Sequence, residues 1–510
     1  MAVFPLSIIH IESSGRPVLC SDILSAHALR RLKGADMPLH GKTPFTLLVS
    51  IALFASGCGG GSTPRSTPST ATEWTWINGS SAITVKFGGH VGVYGTMGVA
   101  SPNNVPGGRE YAVSWTDKGG NFWLFGGKGY DSNGTLALGL NDLWEFDPTT
   151  KMWTWISGSN TVPTAYGSLP GVYGTQGVPA STNAPGGRFG AVSWTDKSGN
   201  LWLFGGIGND STTSSGDYLA NGTLNDLWEF NPSTKEWTWV SGSDPGSTLG
   251  GNGVYGTQGV AAASNVPPAR AAAASWTDNS GNLWLFGGGA LNDLWEFSPT
   301  TKMWTWVSGS SSVSGVPDCL PGVYGTLGVA SAGNVPGGRD KAVGWTDNSG
   351  NLWLFGGFDC AGSLNDLWEF SPTTEMWTWV SGSNTAGASG VYGTLGVASA
   401  SSVPGGRDSA VGWTGSSGNL WLFGGGSQFN DLWEFNPTAK TWTWMSGSNT
   451  GNANGVYGTL GVASVGNVPG GREGSVSWID SSGNLWLFGG VGAGSTGTVG
   501  YLNDLWRYQP

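Results

Sequence analysis

One cassette of residues recurs six times between Trp74 and Pro510, so the chain must build one structural unit repeatedly. The second copy opens on an arginine and a small-residue run, Arg188-Phe189-Gly190-Ala191-Val192-Ser193-Trp194. A polar turn leads to Leu201-Trp202-Leu203-Phe204-Gly205-Gly206, and a loop then leads to Leu224-Asn225-Asp226-Leu227-Trp228-Glu229-Phe230. A second turn precedes Trp237-Thr238-Trp239-Val240. Arg109, Arg188, Arg270, Arg339, Arg407 and Arg472 mark the six copies. This internal period overrides the two to four domains that 510 residues alone suggest.

Each run is four to seven residues, rich in Trp, Phe, Val and Leu, and bounded by Gly, Asn, Asp or Pro. Those are strand signals with turn chemistry at both ends. Leu-Trp-Leu-Phe is apolar at every position and needs burial on both faces, as a strand gains in a sheet packed between two neighbouring sheets. The small-residue first run suits a crowded position beside a ring axis. The expected fold is all-β: a six-bladed β-propeller over 74–510 with four strands per blade. Five tryptophans per complete cassette account for all 30 in the chain, so every tryptophan belongs to the repeated frame.

The last cassette stops at Leu505-Trp506-Arg507-Tyr508-Gln509-Pro510 without a fourth run, and an unattached fourth run, Trp74-Thr75-Trp76-Ile77, precedes the first. Open sheet edges are costly. The N-terminal strand is therefore expected to complete the blade that starts at Arg472 and so close the ring.

These features resemble the kelch family. The double glycine ends the second run (Gly126-Gly127, Gly205-Gly206, Gly287-Gly288, Gly356-Gly357, Gly424-Gly425, Gly489-Gly490). An aromatic ends the third (Phe146, Phe230, Phe297, Phe370, Phe435, Tyr508), with a tryptophan following. The resemblance implies a propeller but no particular activity. Kelch repeats run about 50 residues, whereas these arginines stand 65–82 apart. The excess carries Gly-Val-Tyr-Gly-Thr in every copy, with Tyr94, Tyr173, Tyr255, Tyr324, Tyr392 and Tyr457. A recurring aromatic in a glycine frame is expected to pack its loop onto the sheets; direct ligand contact is the alternative.

The N-terminal region reads as an address. Residues 45–57 form an apolar run too short to span a bilayer, which takes about 20 residues. It fits the core of a signal peptide over 37–57, with Lys42 before it. Ala55-Ser56-Gly57-Cys58 resembles a bacterial lipobox, with Ala55 where leucine is usual. Cys58 is thus the expected lipidation site of an outer or cell-surface membrane lipoprotein, with plain secretion as the alternative. Residues 1–36 read as an extension from a start placed too far upstream. Residues 58–73 read as a flexible Gly/Ser/Thr/Pro tether.

The loops between second and third strands vary most: from the second glycine to the asparagine before the third strand the step is 4 to 19 residues. Variable loops on a rigid scaffold are the usual place for binding. Tyr130, Asp131, Asp217, Tyr218, Phe358, Asp359, Gln428, Phe429 and Tyr501 are the ligand-binding candidates, since an aromatic beside a polar group suits a sugar. The alternative is that these aromatics only pin their loops. Asp131-Ser132-Asn133-Gly134 resembles the start of a calcium loop but has no downstream glutamate at the required spacing, so it reads as a turn. The six arginines are matched by Asp142, Asp226, Asp293, Asp366, Asp431 and Asp504. Pairing between neighbouring blades would satisfy both. Glu110, Asp340, Asp408 and Glu473 follow four of the arginines and make a candidate axial site for a cation or a polyol. Cys319 and Cys360 fall on loops of one face and are expected to form a disulfide in an exported protein; a free reactive pair is the alternative.

Galactose oxidase has a similar propeller, and that resemblance implies a copper site of two histidines and two tyrosines, one bonded to a cysteine. Here only His90 follows the signal, so the copper set and histidine-based triads are not expected. No metal or cofactor is expected. Residues 1–57 hold five basic and three acidic groups, leaving 17 basic and 30 acidic groups beyond, a balance that disfavours nucleic acid. Membrane contact is expected only through a lipid on Cys58. The chain is expected to be a monomeric, extracytoplasmic, non-catalytic recognition module for a glycan or a protein. The alternatives are a carbohydrate-active hydrolase or epimerase using loop carboxylates, or a structural envelope protein.

Overall fold

A computed structural model describes residues 72–83, 88–211, 222–243, 251–311 and 320–510. The expected extension, signal, Cys58 and almost all of the tether lie outside these residues, as do Asp217, Tyr218 and Cys319. The described residues are all-β, with no helix among them, and form a β-propeller-like arrangement of antiparallel four-stranded sheets.

Sheet one is Val113–Thr116, Phe122–Phe125, Leu143–Asp147 and Met152–Ser157. Sheet two is Val192–Thr195, Leu201–Gly208, Gly222–Asn231 and Glu236–Ser241. Sheets three, four and five begin at Ala274–Thr277, Val343–Thr346 and Val411–Thr414 and follow the same order. The sheet that begins at Val476–Ile479, sheet six, continues through Leu485–Phe488 and Leu505–Gln509 and takes its fourth strand from Glu73–Asn78. There Trp74 is opposite Tyr508 and Trp76 opposite Trp506.

The second strands behave as their apolar pattern requires. Leu201 and Leu203 pack toward sheet one while Trp202 and Phe204 pack toward sheet three, because successive side chains leave a strand on opposite faces. Each of six apolar clusters is shared by two sheets, the last of them by sheets six and one. Indole hydrogen bonds cross the same boundaries. Trp115 Nε1 donates to the Trp202 carbonyl at 2.9 Å, and Trp478 Nε1 donates to the Trp123 carbonyl at 3.2 Å.

The extra residues of each repeat form an edge cover. Val93 pairs with Val105, and the tip between them lies along the outer strand of sheet one, where Gly98 N donates to Trp155 O at 2.8 Å. Buried Asn104 donates to both Val99 O and Trp153 O at 3.0 Å. Outer strands that would present an open row of backbone groups are thereby partly paired.

The first run is not one continuous strand. Arg188–Phe189 pairs separately with Ile207–Gly208, and the backbone turns at Gly190, where φ is 63°, before Val192. The cause is a chain of backbone hydrogen bonds described below.

Trp74 is buried against Phe423 and Tyr508. Trp74→Ala should destabilise the fold by about 3–5 kcal/mol. Equilibrium denaturation would show it, and an unchanged midpoint would contradict the packing of this strand.

Candidate functional site

The strongest polar feature is buried and repeats in every sheet. The Arg109 guanidinium forks onto Asp142, with Nη1 to Oδ1 and Nη2 to Oδ2 both at 2.8 Å. Two further donors go to Gly126 O and Gly107 O at 2.9 and 3.0 Å. Asp142 Oδ2 also accepts from Tyr94 at 2.6 Å and from Trp144 Nε1 at 2.7 Å. The other five tyrosines reach their aspartates at 2.6–2.8 Å. Both ions are enclosed, and each makes several hydrogen bonds, as buried charges require.

These pairs correct the expectation for Arg109, Arg188, Arg270, Arg339, Arg407 and Arg472. The side-chain pairing lies within one sheet, not between neighbours. It is the arginine backbone that joins sheets: Arg188 N donates to Leu140 O at 3.1 Å, and Arg188 O accepts from Gly127 N at 2.8 Å. This close approach explains the double glycine. Gly126 and Gly127 have φ of 66° and 93°, and a Cβ on Gly126 would meet Arg188 O at 2.8 Å.

Two residues beyond each arginine a backbone ring closes. Tyr111, Gly190, Ala272, Lys341, Ser409 and Gly474 each donate N–H to the carbonyl of the preceding member, with Tyr111 bonding Gly474, at 2.7–3.0 Å. All six have φ of 51–65°, which is costly for the four that are not glycine. Within the ring the Tyr111 hydroxyl reaches Ser409 Oγ at 2.9 Å, and Lys341 Nζ lies 5.8 Å from the Tyr111 ring centre. A small cavity of about 140 Å³ lies among these residues.

The axial carboxylates are not gathered into one cluster among the described residues. No group of three or more metal-ligating side chains converges among the described residues. Glu110 is paired with Lys128 at 3.1 Å, and Asp408 accepts from Ser363 and Ser409 at 3.0 and 2.7 Å. Burial, then Asp408 and Glu110, push the Glu473 carboxyl up.

The loop candidates separate into pins and surface groups. Asp131 is buried and accepts from the backbone of Asn133, Thr135 and Val162 at 2.7–2.9 Å, which makes it a loop pin. Asp359 caps its own turn through Ala361 N and Gly362 N. Tyr130 and Tyr501 are brought together edge to face at 5.7 Å, with Lys128 above Tyr501. Phe429 stacks on the Arg407 guanidinium at 4.8 Å. Gln428 sits at φ 52° with its carbonyl accepting from Asn452 N. Phe358 is 45% exposed. Cys360 is disulfide-bonded, and its expected partner Cys319 lies outside the described residues.

A hollow lies where the loop is shortest. Over sheet three only Gly289-Ala290-Leu291 separates the double glycine from Asn292. The space left is about 630 Å³, walled by Phe189, Ile207 and Thr223 of sheet two, Ala271 and Leu291 of sheet three, and Asp340 and Lys341 of sheet four. Asp340 Oδ1 is buried there without a hydrogen-bond partner among the described residues. Burial pushes its carboxyl up, Lys341 pulls it back and Asp408 adds to the rise. The Asp340 and Phe358 backbones pair at 2.9 and 3.1 Å, which sets the exposed Phe358 beside this carboxylate. Reading long loops for aromatics missed the hollow; the sequence signal for it was the one loop with only a four-residue step. No protein-family model matches the chain.

Burial pushes the Asp142 and Asp504 carboxyls up, but the charge and hydrogen bonds of Arg109 and Arg472 outweigh it and hold both below the usual range. Their folded pKa values are therefore below the unfolded value of about 3.9. Their contribution to stability is present above about pH 4 and drains as pH falls through the folded values. Asp142→Asn strands the Arg109 charge and should cost about 3–5 kcal/mol at neutral pH, with a shallower acid limb in denaturation measured from about pH 6 to 2. Equal stability of both proteins at neutral pH would contradict the fork.

Proposed function

We propose that the chain is a six-bladed kelch-type propeller that recognises a glycan in the hollow over sheet three. In this reading Glu73–Asn78 closes the ring and the protein is exported and held to a membrane by a lipid on Cys58. The ring is supported by the pairing of Glu73–Asn78 with Leu505–Gln509 and by the apolar cluster shared between sheets six and one. Export is supported by the apolar run before Cys58.

The observation that carries the binding reading is Asp340 Oδ1, buried in the wall of the hollow with no donor among the described residues. An unpaired buried acceptor is costly. A sugar hydroxyl donating to it would remove that cost, and Phe189 and Phe358 offer apolar faces for pyranose C–H groups. Glu110, Asp131, Asp359 and Asp408 are engaged by protein donors, which favours recognition over carboxylate chemistry. Hydrolysis or epimerisation with Asp340 as general acid is the second reading, and the raised Asp340 carboxyl is the observation in its favour.

Glycan-array screening of the exported protein, followed by calorimetry on the best ligand, tests both. Asp340→Asn and Phe358→Ala should each weaken binding about tenfold or more with the melting temperature unchanged. Binding that survives both substitutions would overturn the assignment. Product release abolished by Asp340→Asn would establish the second reading, and binding of a protein but of no glycan would exclude a sugar ligand.

A further inference from the structure

The face carrying the short turns is covered by a repeated device. Lys302, in the turn between the last two strands of sheet three, sets its ammonium 4.1 Å from the ring centre of Trp202 in sheet two. It also lies 2.8 Å from Glu229 Oε2, on the residue directly opposite Trp202 across the strand pair. Lys440 of sheet five does the same to sheet four, 4.2 Å from Trp353 and 3.0 Å from Glu369. An indole face and a carboxylate held side by side thus take up a primary ammonium twice in this molecule.

Sheet five carries the same pair, with Trp421 opposite Glu434. The covering lysine would have to come from the corresponding turn of sheet six. No such turn joins the last two strands there, because Leu505–Gln509 and Glu73–Asn78 come from opposite ends of the repeated region. A hollow of about 390 Å³ stands at that point, with Trp421, Glu434, Ser482, Asn484 and Gln509 in its wall. The carboxylate is set as its counterpart is. Asn419 donates to Glu434 Oε1 at 2.6 Å, as Asn200 donates to Glu229 Oε1 at 2.8 Å. Oε2, which in Glu229 takes the lysine, has no partner in Glu434 among the described residues.

A second departure enlarges the hollow. Five cassettes have an aspartate in the first turn, and each accepts from the second-strand indole at 2.9 Å. The fifth has Gly415, so the Trp421 N–H has no turn carboxylate and faces the hollow as a donor. Sheets one, three and six differ. Lys235 faces Glu145 without closing to an ion pair, Glu375 stands near Glu296, and Arg507 replaces the glutamate.

We propose that this hollow binds a primary alkylammonium group, with the cation over Trp421 and paired to Glu434 Oε2. The group is that of a lysyl side chain or of a free diamine. A lysyl ligand can also offer a carbonyl to the Trp421 N–H. The site lies among the short turns, away from the proposed glycan hollow, so neither assignment rests on the other.

Calorimetry of the full exported chain with Nα-acetyl-lysine methylamide and with cadaverine tests this. One equivalent of each should bind, the lysyl compound more tightly if its carbonyl meets Trp421. Equal affinities would support the ammonium site and place the ligand source with free amines. Glu434→Gln should weaken both about tenfold or more. Acetylating the side-chain amine should abolish binding. Lys440→Gly, at a residue with φ of 55° where glycine is at ease, should uncover Trp353 and Glu369 and add a second equivalent. Absence of binding to the unmodified chain at millimolar ligand, or equal binding by Glu434→Gln, would overturn the proposal. So would a Lys440→Gly protein that still binds one equivalent.

Discussion

A buried guanidinium gripped by a carboxylate sets the geometry of every sheet. In sheet two, Arg188 Nη1 and Nη2 meet Asp226 at 2.7 and 2.8 Å, and Tyr173 and Trp228 complete the aspartate at 2.6 and 2.7 Å. The fork fixes the start of the first strand against the start of the third. It also holds the tyrosine of the edge-covering hairpin, so the outer loop is tied to the sheet interior. Because the charges are enclosed, its value is specificity of arrangement more than net stability. The backbone of the same arginine then carries the link to the adjacent sheet, so each repeat is joined to its neighbour at the point where it is most rigid.

Against this uniform frame, the chemistry gathers where copies depart from one another. Sheet three has the shortest loop, and beside it lies a hollow with an Asp340 oxygen unpaired among the described residues. Among the described residues sheet five, facing the seam, has neither a covering lysine nor a turn aspartate, and Trp421 and Glu434 line a hollow there. The axis shows a third departure. A tyrosine occupies a backbone position with φ of 51° that glycine fills in the second and sixth copies, and its hydroxyl crosses to Ser409. Strain of this kind persists only where surrounding structure enforces it, and here the hydrogen-bonded ring does so.

Much of this was legible in the residues. The unbroken apolar run Leu201–Phe204 and the turn residues around it required a strand buried on both faces, because composition and period act locally. The six aspartates were legible as the partner set of the six arginines, but not that Arg188 meets Asp226 of its own repeat, because sequence spacing does not say whether two residues meet within a sheet or across two. The break at Gly190 was also missed. Only the closing of six backbone hydrogen bonds demands it, and four of the six residues there are not glycine. Among the site candidates, Asp131 read as a ligand group because it is polar and beside Tyr130, yet three backbone N–H groups already claim it. Asp340 and the Trp421–Glu434 pair were hard to see because what marks them is something the neighbouring copies have and they lack.

The central claim is that six like sheets form one uninterrupted ring. Gly127, Gly206, Gly288, Gly357, Gly425 and Gly490 each donate their N–H to the arginine carbonyl of the next sheet at 2.8–2.9 Å, and the bond from Gly490 to Arg109 crosses the seam. Hydrogen exchange at these six amides tests the claim most directly. The account predicts that all six exchange together, with the same protection and only through global unfolding. Exchange of Gly490 orders of magnitude faster than the other five would contradict it.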